Sequence, residues 1–237
     1  MKVTLAQISP KLNRDNLENI LTIVKETIGK SDIIIFPELA LNGYLLQDKL
    51  CEDAWNINEL DPLKELSLNI DIVVGAAMRD AKVFRNSGLY FSKGELLSQH
   101  NKVHLPNYGM FEEARYFEAG KVFESFISQF GKVSMIVCED MWHEDVHTDL
   151  QKENPDYIIV LVASPARGFS DEGLAIEDKW YDILNKVSLE CKAKVFFVNR
   201  VGFEDGLGFW GGSCVVSKGA IDKKLSLFKP EIKTLNI

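Results

Sequence analysis

Residues 133–140 read Val-Ser-Met-Ile-Val-Cys-Glu-Asp, and this stretch narrows sharply what the chain can become. Residues 133–137 are apolar apart from Ser134 and have the length of a strand covered on both faces. Glu139 and Asp140 cannot continue such a strand, so the backbone must turn at Cys138, and acids there favour the first turn of a helix. A thiol at a strand-to-helix turn sits beside a helix N-terminus. The dipole there is expected to lower its pKa, and the next backbone N–H groups can face a developing oxyanion. Taken alone, the stretch also fits a buried core cysteine, the common fate of a free thiol.

Other apolar runs of strand length lie at 3–8, 33–36, 72–76, 157–162 and 195–198. Leu17, Ile20, Leu21, Val24 and Ile28 recur at helical spacing, and Gly29 closes that helix. Further helices are expected at 62–69 and 172–191, the second with Asp171 as N-cap and Ile176, Trp180, Leu184 and Val187 on one face. Residues 83–91 and 95–101 read as a hairpin turning at Ser92-Lys93-Gly94. The stretch 40–61 reads as loop with a short helix at most, and 107–121 as a long functional loop. A strand at 122–126, a glycine-rich turn region at 202–212, strands at 213–216 and 223–227 and a short tail complete the chain. Strands alternating with helices, with hairpins mixed in, predict an α/β layered fold: a mixed sheet, or a pair of sheets, under helices. No linker, repeat or low-complexity segment divides the sequence, so residues 1–237 are expected to form one domain.

The formal net charge of -8 comes without a Lys/Arg cluster, which argues against nucleic acid or an anionic membrane as partner. Cys51, Cys138, Cys191 and Cys214 are far apart and form no metal-ligand spacing, so they are expected to be reduced thiols. The apolar stretch at 3–8 meets Pro10 at once, too short for a signal peptide, and no later run could span a bilayer. A soluble, cytoplasmic protein is expected.

Glu38 and Cys138 each end an apolar run, and Lys102 follows the second arm of the hairpin. In layered α/β folds, strand ends that open on one edge converge on a crevice. There a carboxylate can take the proton of a thiol while a lysine stabilises an oxyanion, the equipment for acyl transfer from a C–N bond through a thioester. Each residue also has a plainer reading: Glu38 as a helix-starting acid, Lys102 as a surface lysine. His143-Glu144-Asp145-Val146-His147 matches the H-E-x-x-H zinc signature. That site needs a helix carrying both histidines on one face and a third ligand, and neither is evident. The expectation is a polar helix or loop just past the turn, and no metal.

Three motifs carry a family resemblance: Phe36-Pro37-Glu38-Leu39, Asn101-Lys102-Val103-His104-Leu105-Pro106 and Val137-Cys138-Glu139-Asp140-Met141-Trp142. In order and separation they resemble the catalytic motifs of the nitrilase superfamily of carbon–nitrogen hydrolases. The resemblance implies a four-layer α-β-β-α sandwich, a Glu38-Lys102-Cys138 triad and no cofactor. It also implies a homodimer or higher homo-oligomer built through helices next to the cysteine. Within the superfamily, residues 105–117 and 199–206, continued by Gly211-Gly212-Ser213, resemble the glutaminase domain of glutamine-dependent NAD synthetases. By that likeness Glu113 is a supporting glutamate and Tyr108 a substrate contact. Glu139, through its backbone N–H, and Ser164, from a segment resembling free-standing superfamily members, are the further substrate-binding candidates. Phe203 and Trp210 depart from the glutaminase pattern. The expected function is an amidase that cleaves a small linear carboxamide through a cysteine thioester, a glutaminase being one form. The alternative is a catalytically idle or ammonia-supplying subunit that serves an NAD synthetase-like partner.

Overall fold

The computed structural model describes residues 1–171 and 173–237. The first half runs β1 (Lys2–Gln7), α1 (Asn16–Thr27), β2 (Ile33–Ile35), α2 (Leu50–Asp53), α3 (Asp61–Leu66), β3 (Asp71–Asp80), β4 (Val83–Ser92) and β5 (Glu95–Asn101). The short α4 (Glu113–Tyr116) follows, then β6 (Phe126–Ser128), β7 (Gly131–Val137), α5 (Glu144–Glu153) and β8 (Tyr157–Val162). A small pair, β9 (Phe169–Ser170) and β10 (Gly173–Leu174), leads into α6 (Ala175–Glu190) and β11 (Lys194–Asn199). The chain closes with β12 (Val201–Glu204), β13 (Leu207–Trp210), β14 (Cys214–Ser217), β15 (Ala220–Lys224) and β16 (Glu231–Asn236).

Two six-stranded sheets result, ordered β16-β1-β2-β3-β4-β5 and β15-β14-β11-β8-β7-β6. Successive side chains on a strand point to opposite faces, and both faces here are apolar. Ile33 and Ile35 of β2 face inward with Val3, Leu5 and Val73, against Met135, Ile159, Leu161 and Phe196 of the other sheet. Ile34, Ile72 and Val74 face outward under Ile20 and Val24 of α1 and Leu63 of α3. On the other side Ile136, Val160 and Phe197 lie under Val146 and Leu150 of α5 and Trp180, Leu184 and Val187 of α6. The order of layers is therefore α-β-β-α, the sandwich the motif resemblance implied.

The structure corrects several expected boundaries. The supposed tail contains β16, which pairs antiparallel with β1 from Lys2↔Asn236 to Gln7↔Glu231. Of its side chains Leu235 alone is buried, so this edge strand carries no apolar run to read. Residues 202–212 hold the hairpin β12–β13, not a run of turns. The strand expected at 122–126 begins at Phe126, and the one expected at 223–227 is Ala220–Lys224. α6 is entered through Leu174, not an Asp171 cap; residue 172, where that helix was expected to start, lies outside the described residues. Among the described residues no helix is long and apolar enough to cross a membrane.

Candidate active site

Glu38 stands one residue beyond Pro37 at the end of β2, with 1% of its surface exposed. The backbone bends there: Leu39 has φ 49°, and strand β3 closes over the bend. Gly75 permits that approach, because a Cβ on it would lie 2.5 Å from the Pro37 oxygen and 2.6 Å from Glu38 Cα. Glu38 Oε2 accepts the backbone N–H of Ala163 at 2.8 Å, from the segment that follows β8 in the other sheet. Its Oε1 accepts Lys102 Nζ and Asn86 Nδ2, each at 2.8 Å.

Lys102, just past β5, is 1% exposed and reaches a second carboxylate, Glu113 Oε1, also at 2.8 Å. Burial works against its charge, but Glu113 and Glu38 outweigh burial, and its pKa is raised well above the usual lysine value. Glu113 opens α4 inside the long loop and is 6% exposed. Tyr44 Oη donates to the same Oε1 at 2.7 Å. Burial raises the Glu113 pKa, the Lys102 ammonium opposes that rise and the Glu38 carboxylate adds to it. Glu112 projects outward, half exposed, towards Arg115 at 3.7 Å.

Cys138 ends β7 with φ 46°, a left-handed conformation that costs a non-glycine residue about 1–3 kcal/mol and recurs at catalytic turns. The residue is partly open to solvent. Its thiol pKa is raised well above the ordinary value, by burial first and by Glu38 next, with Lys102 acting in the other direction. This overturns the expected depression. The helical segment after it is a five-residue 3-10 turn, Cys138–Trp142, too short for a strong dipole, and the nearest charges include carboxylates.

Tyr108 and Glu139 meet at the mouth of the site, Oη donating to Oε2 at 2.9 Å. The Tyr108 pKa is pushed up to about 12 by partial burial and by the Glu139 carboxylate, while Arg167 draws it down. Ser164 is buried; its hydroxyl accepts Trp180 Nε1–H at 3.0 Å, and its backbone N–H donates to Asn199 Oδ1 at 3.0 Å. So the three strand-end residues and Glu113 come together, Tyr108 and Glu139 pair at the rim, and Ser164 is held by the core. Tyr44 and Asn86 also belong to the network, Asp140 joins the turns that follow Lys102 and Cys138, and all three were missed. For Asn86 a signal existed: a polar Asn-Ser pair inside a strand that runs on into the apolar Leu89-Tyr90-Phe91.

The H-E-x-x-H match falls apart in space. α5 starts at Glu144, and buried His147 donates its Nε2–H to the Met141 carbonyl at 2.8 Å. His143 instead stacks on His104, centroids 3.6 Å apart and planes 4° apart, with Asp145 beside them. Parallel rings aim their in-plane lone pairs in parallel, whereas a single ion needs them to converge.

Comparison with known proteins first gives the fold class. The solved carbon-nitrogen hydrolase of Helicobacter pylori shares it at a TM-score of 0.87, over 98% of this chain and 87% of its own, at 23% identity. The residues then give the family. The Carbon-nitrogen hydrolase family model matches residues 2–229, and the chain belongs to that family. The Glutamine-dependent NAD(+) synthetase of Acinetobacter baylyi is 31% identical over 241 residues, covering 98% of this chain and 43% of that protein. The solved glutamine-dependent NAD+ synthetase of Acinetobacter baumannii aligns at a TM-score of 0.88 and 30% identity, over 98% of this chain and 44% of its own. This chain thus spans less than half the length of those synthetases.

Proposed function

We propose that this carbon–nitrogen hydrolase is a cysteine amidase acting on a small linear carboxamide, with glutamine the first substrate to test. The observation that carries the reading is one buried lysine held at 2.8 Å by each of two glutamates, beside a cysteine on a left-handed turn. The raised thiol pKa keeps the proton on Sγ until an acyl group arrives. Glu38 then takes that proton as Sγ attacks the carbonyl carbon. Lys102 Nζ and the Glu139 backbone N–H receive the charge that develops on the carbonyl oxygen. Glu38 returns the proton to the leaving nitrogen, ammonia departs, and a thioester remains. Water, deprotonated by Glu38, cleaves the thioester to the acid and restores the thiol. The balance is one amide and one water to one acid and one ammonia.

Two features support an amino-acid amide. The relatives' names include glutamine. The rim also pairs the Tyr108–Glu139 acceptor with the exposed Arg167 cation, a match for an ammonium and a carboxylate on one ligand. A second reading, ammonia supplied to a synthetase partner, is favoured by the larger size of those relatives.

The test is ammonia release from glutamine, asparagine, other ω-amides and carbamoyl amino acids, with intact-mass measurement of Cys138. Wild type should turn over at least one amide and show an acyl adduct, and Cys138→Ala should do neither. Amide turnover that survives in Cys138→Ala would falsify the mechanism.

A further inference from the structure

Asn86 sits in β4 opposite Ala77 of β3, with 1% of its surface exposed. Its Nδ2 donates to Glu38 Oε1 at 2.8 Å and to Glu113 Oε2 at 3.3 Å. Its main-chain oxygen accepts the backbone N–H of Lys102 at 2.8 Å. Lys102 Nζ makes the other bridge between the same carboxylates. The two glutamates are thus spanned twice, once by a cation and once by a neutral amide. The amide orientation is dictated by its partners: reversed, Oδ1 would face two carboxylates with no proton between them. As placed, Oδ1 is buried without a hydrogen-bond partner. A side chain kept in a strand interior with its acceptor unpaired is there for its donors.

We infer that Asn86 is a positioning residue whose amide spans both glutamates of the site and fixes Lys102 between them. An N–H aimed at a carboxylate favours its charged form, so removing the amide adds to the burial that already pushes the Glu113 carboxyl towards protonation. The other groups facing the pair are the Lys102 ammonium, the Tyr44 hydroxyl, the Cys138 thiol and the Arg200 guanidinium. The Glu113 carboxyl therefore titrates within this shared field of charges, and the pH profile reads the site as a whole. The inference rests on the amidase reading for its turnover measurement alone.

The experiment compares wild type with Asn86→Ala, Asn86→Ser and Asn86→Asp. Asn86→Asp matches the native shape but replaces the donors with a third carboxylate, and it keeps the test open if Asn86→Ala fails to fold. Two profiles are recorded: kcat and KM for ammonia release from about pH 5 to 9, and the rate of Cys138 alkylation by iodoacetamide carried on to about pH 11, where the raised thiol titrates. The alanine and aspartate variants should lose about 10-fold or more in kcat with KM little changed, and the acid limb of their ammonia-release profiles should move up by about one pH unit. The alkylation limb of Asn86→Ala should instead move down, because a protonated glutamate no longer opposes the thiolate. Asn86→Ser, with one donor left, should fall between them and wild type. A folded variant with the wild-type acid limb overturns the inference, even if its kcat is lower. If wild type hydrolyses no amide, the amidase reading fails and the alkylation profiles alone still decide the role of Asn86.

Discussion

Asp140 Oδ1, two residues past the cysteine, accepts the backbone N–H of His104 at 2.8 Å, two residues past the lysine. The same oxygen accepts the Val103 N–H at 3.0 Å, and Oδ2 lies 2.9 Å from His100 Nε2. Cys138 leaves β7 and Lys102 leaves β5, strands of different sheets. One fully buried carboxylate therefore joins the two turns that present the nucleophile and the cation. Asp140 tethers a site assembled from two sheets.

Asp140→Ala should leave the backbone N–H groups of Val103, His104 and Val137 and the His100 ring without their acceptor. Each unsatisfied buried donor costs about 1–3 kcal/mol, so the expected loss is about 3 kcal/mol or more. Asp140→Asn retains one acceptor oxygen and should lose less. Urea denaturation measures both, and a loss below about 1 kcal/mol for the alanine variant would show that the tether contributes little.

Glu113→Gln keeps the shape of its side chain but removes one of the two charges on Lys102. The protein should fold and its cysteine should still be alkylated, while amide turnover falls about 10²-fold. Glu112→Gln, half exposed and directed at Arg115, should cost little. Steady-state ammonia release from the two variants decides between neighbouring acids, and equal losses would mean that Glu113 is not specially placed.

Gly75→Ala puts a methyl group 2.5 Å from backbone atoms of Pro37 and Leu39, which cannot move without displacing Glu38. An overpacking cost of about 2–3 kcal/mol is expected, with turnover reduced further by the shifted carboxylate. Gly88→Ala is the control: its Cβ meets a Leu161 methyl at 3.1 Å, a side chain able to yield. Thermal melts together with kcat separate the two, and equal behaviour would remove the special role given to the bend at Glu38.

Cys138 should ionise above the ordinary thiol value of about 8.5, followed by ultraviolet thiolate absorbance with Cys138→Ala as baseline. Glu38 is the second cause of that elevation, after burial. A nearby negative charge disfavours the thiolate, so Glu38→Gln should move the midpoint down. An unchanged or higher midpoint in Glu38→Gln would mean that the carboxylate does not face the sulfur.

What the sequence determined by itself is whatever is written within a few adjacent residues. Apolar runs such as 33–36 and 133–137 specify buried strands, and the abrupt Pro-Glu and Cys-Glu-Asp endings specify where those strands stop and which side chains stand there. That was enough for the layered α/β class, and the three spaced motifs added the sandwich and the Glu38-Lys102-Cys138 grouping. The tertiary structure alone decided what meets at those ends. Glu113 arrives from a loop, Tyr44 from after the Glu38 bend and Asn86 from a hairpin, brought to one lysine by sheet packing that no local period encodes. β16 was invisible because an edge strand with exposed side chains has no apolar pattern, only backbone pairing with β1. The thiol ran opposite to its expected direction for the same reason. A turn read locally suggests a dipole, whereas ionisation depends on burial and on charges a few ångströms away, which are far apart along the chain.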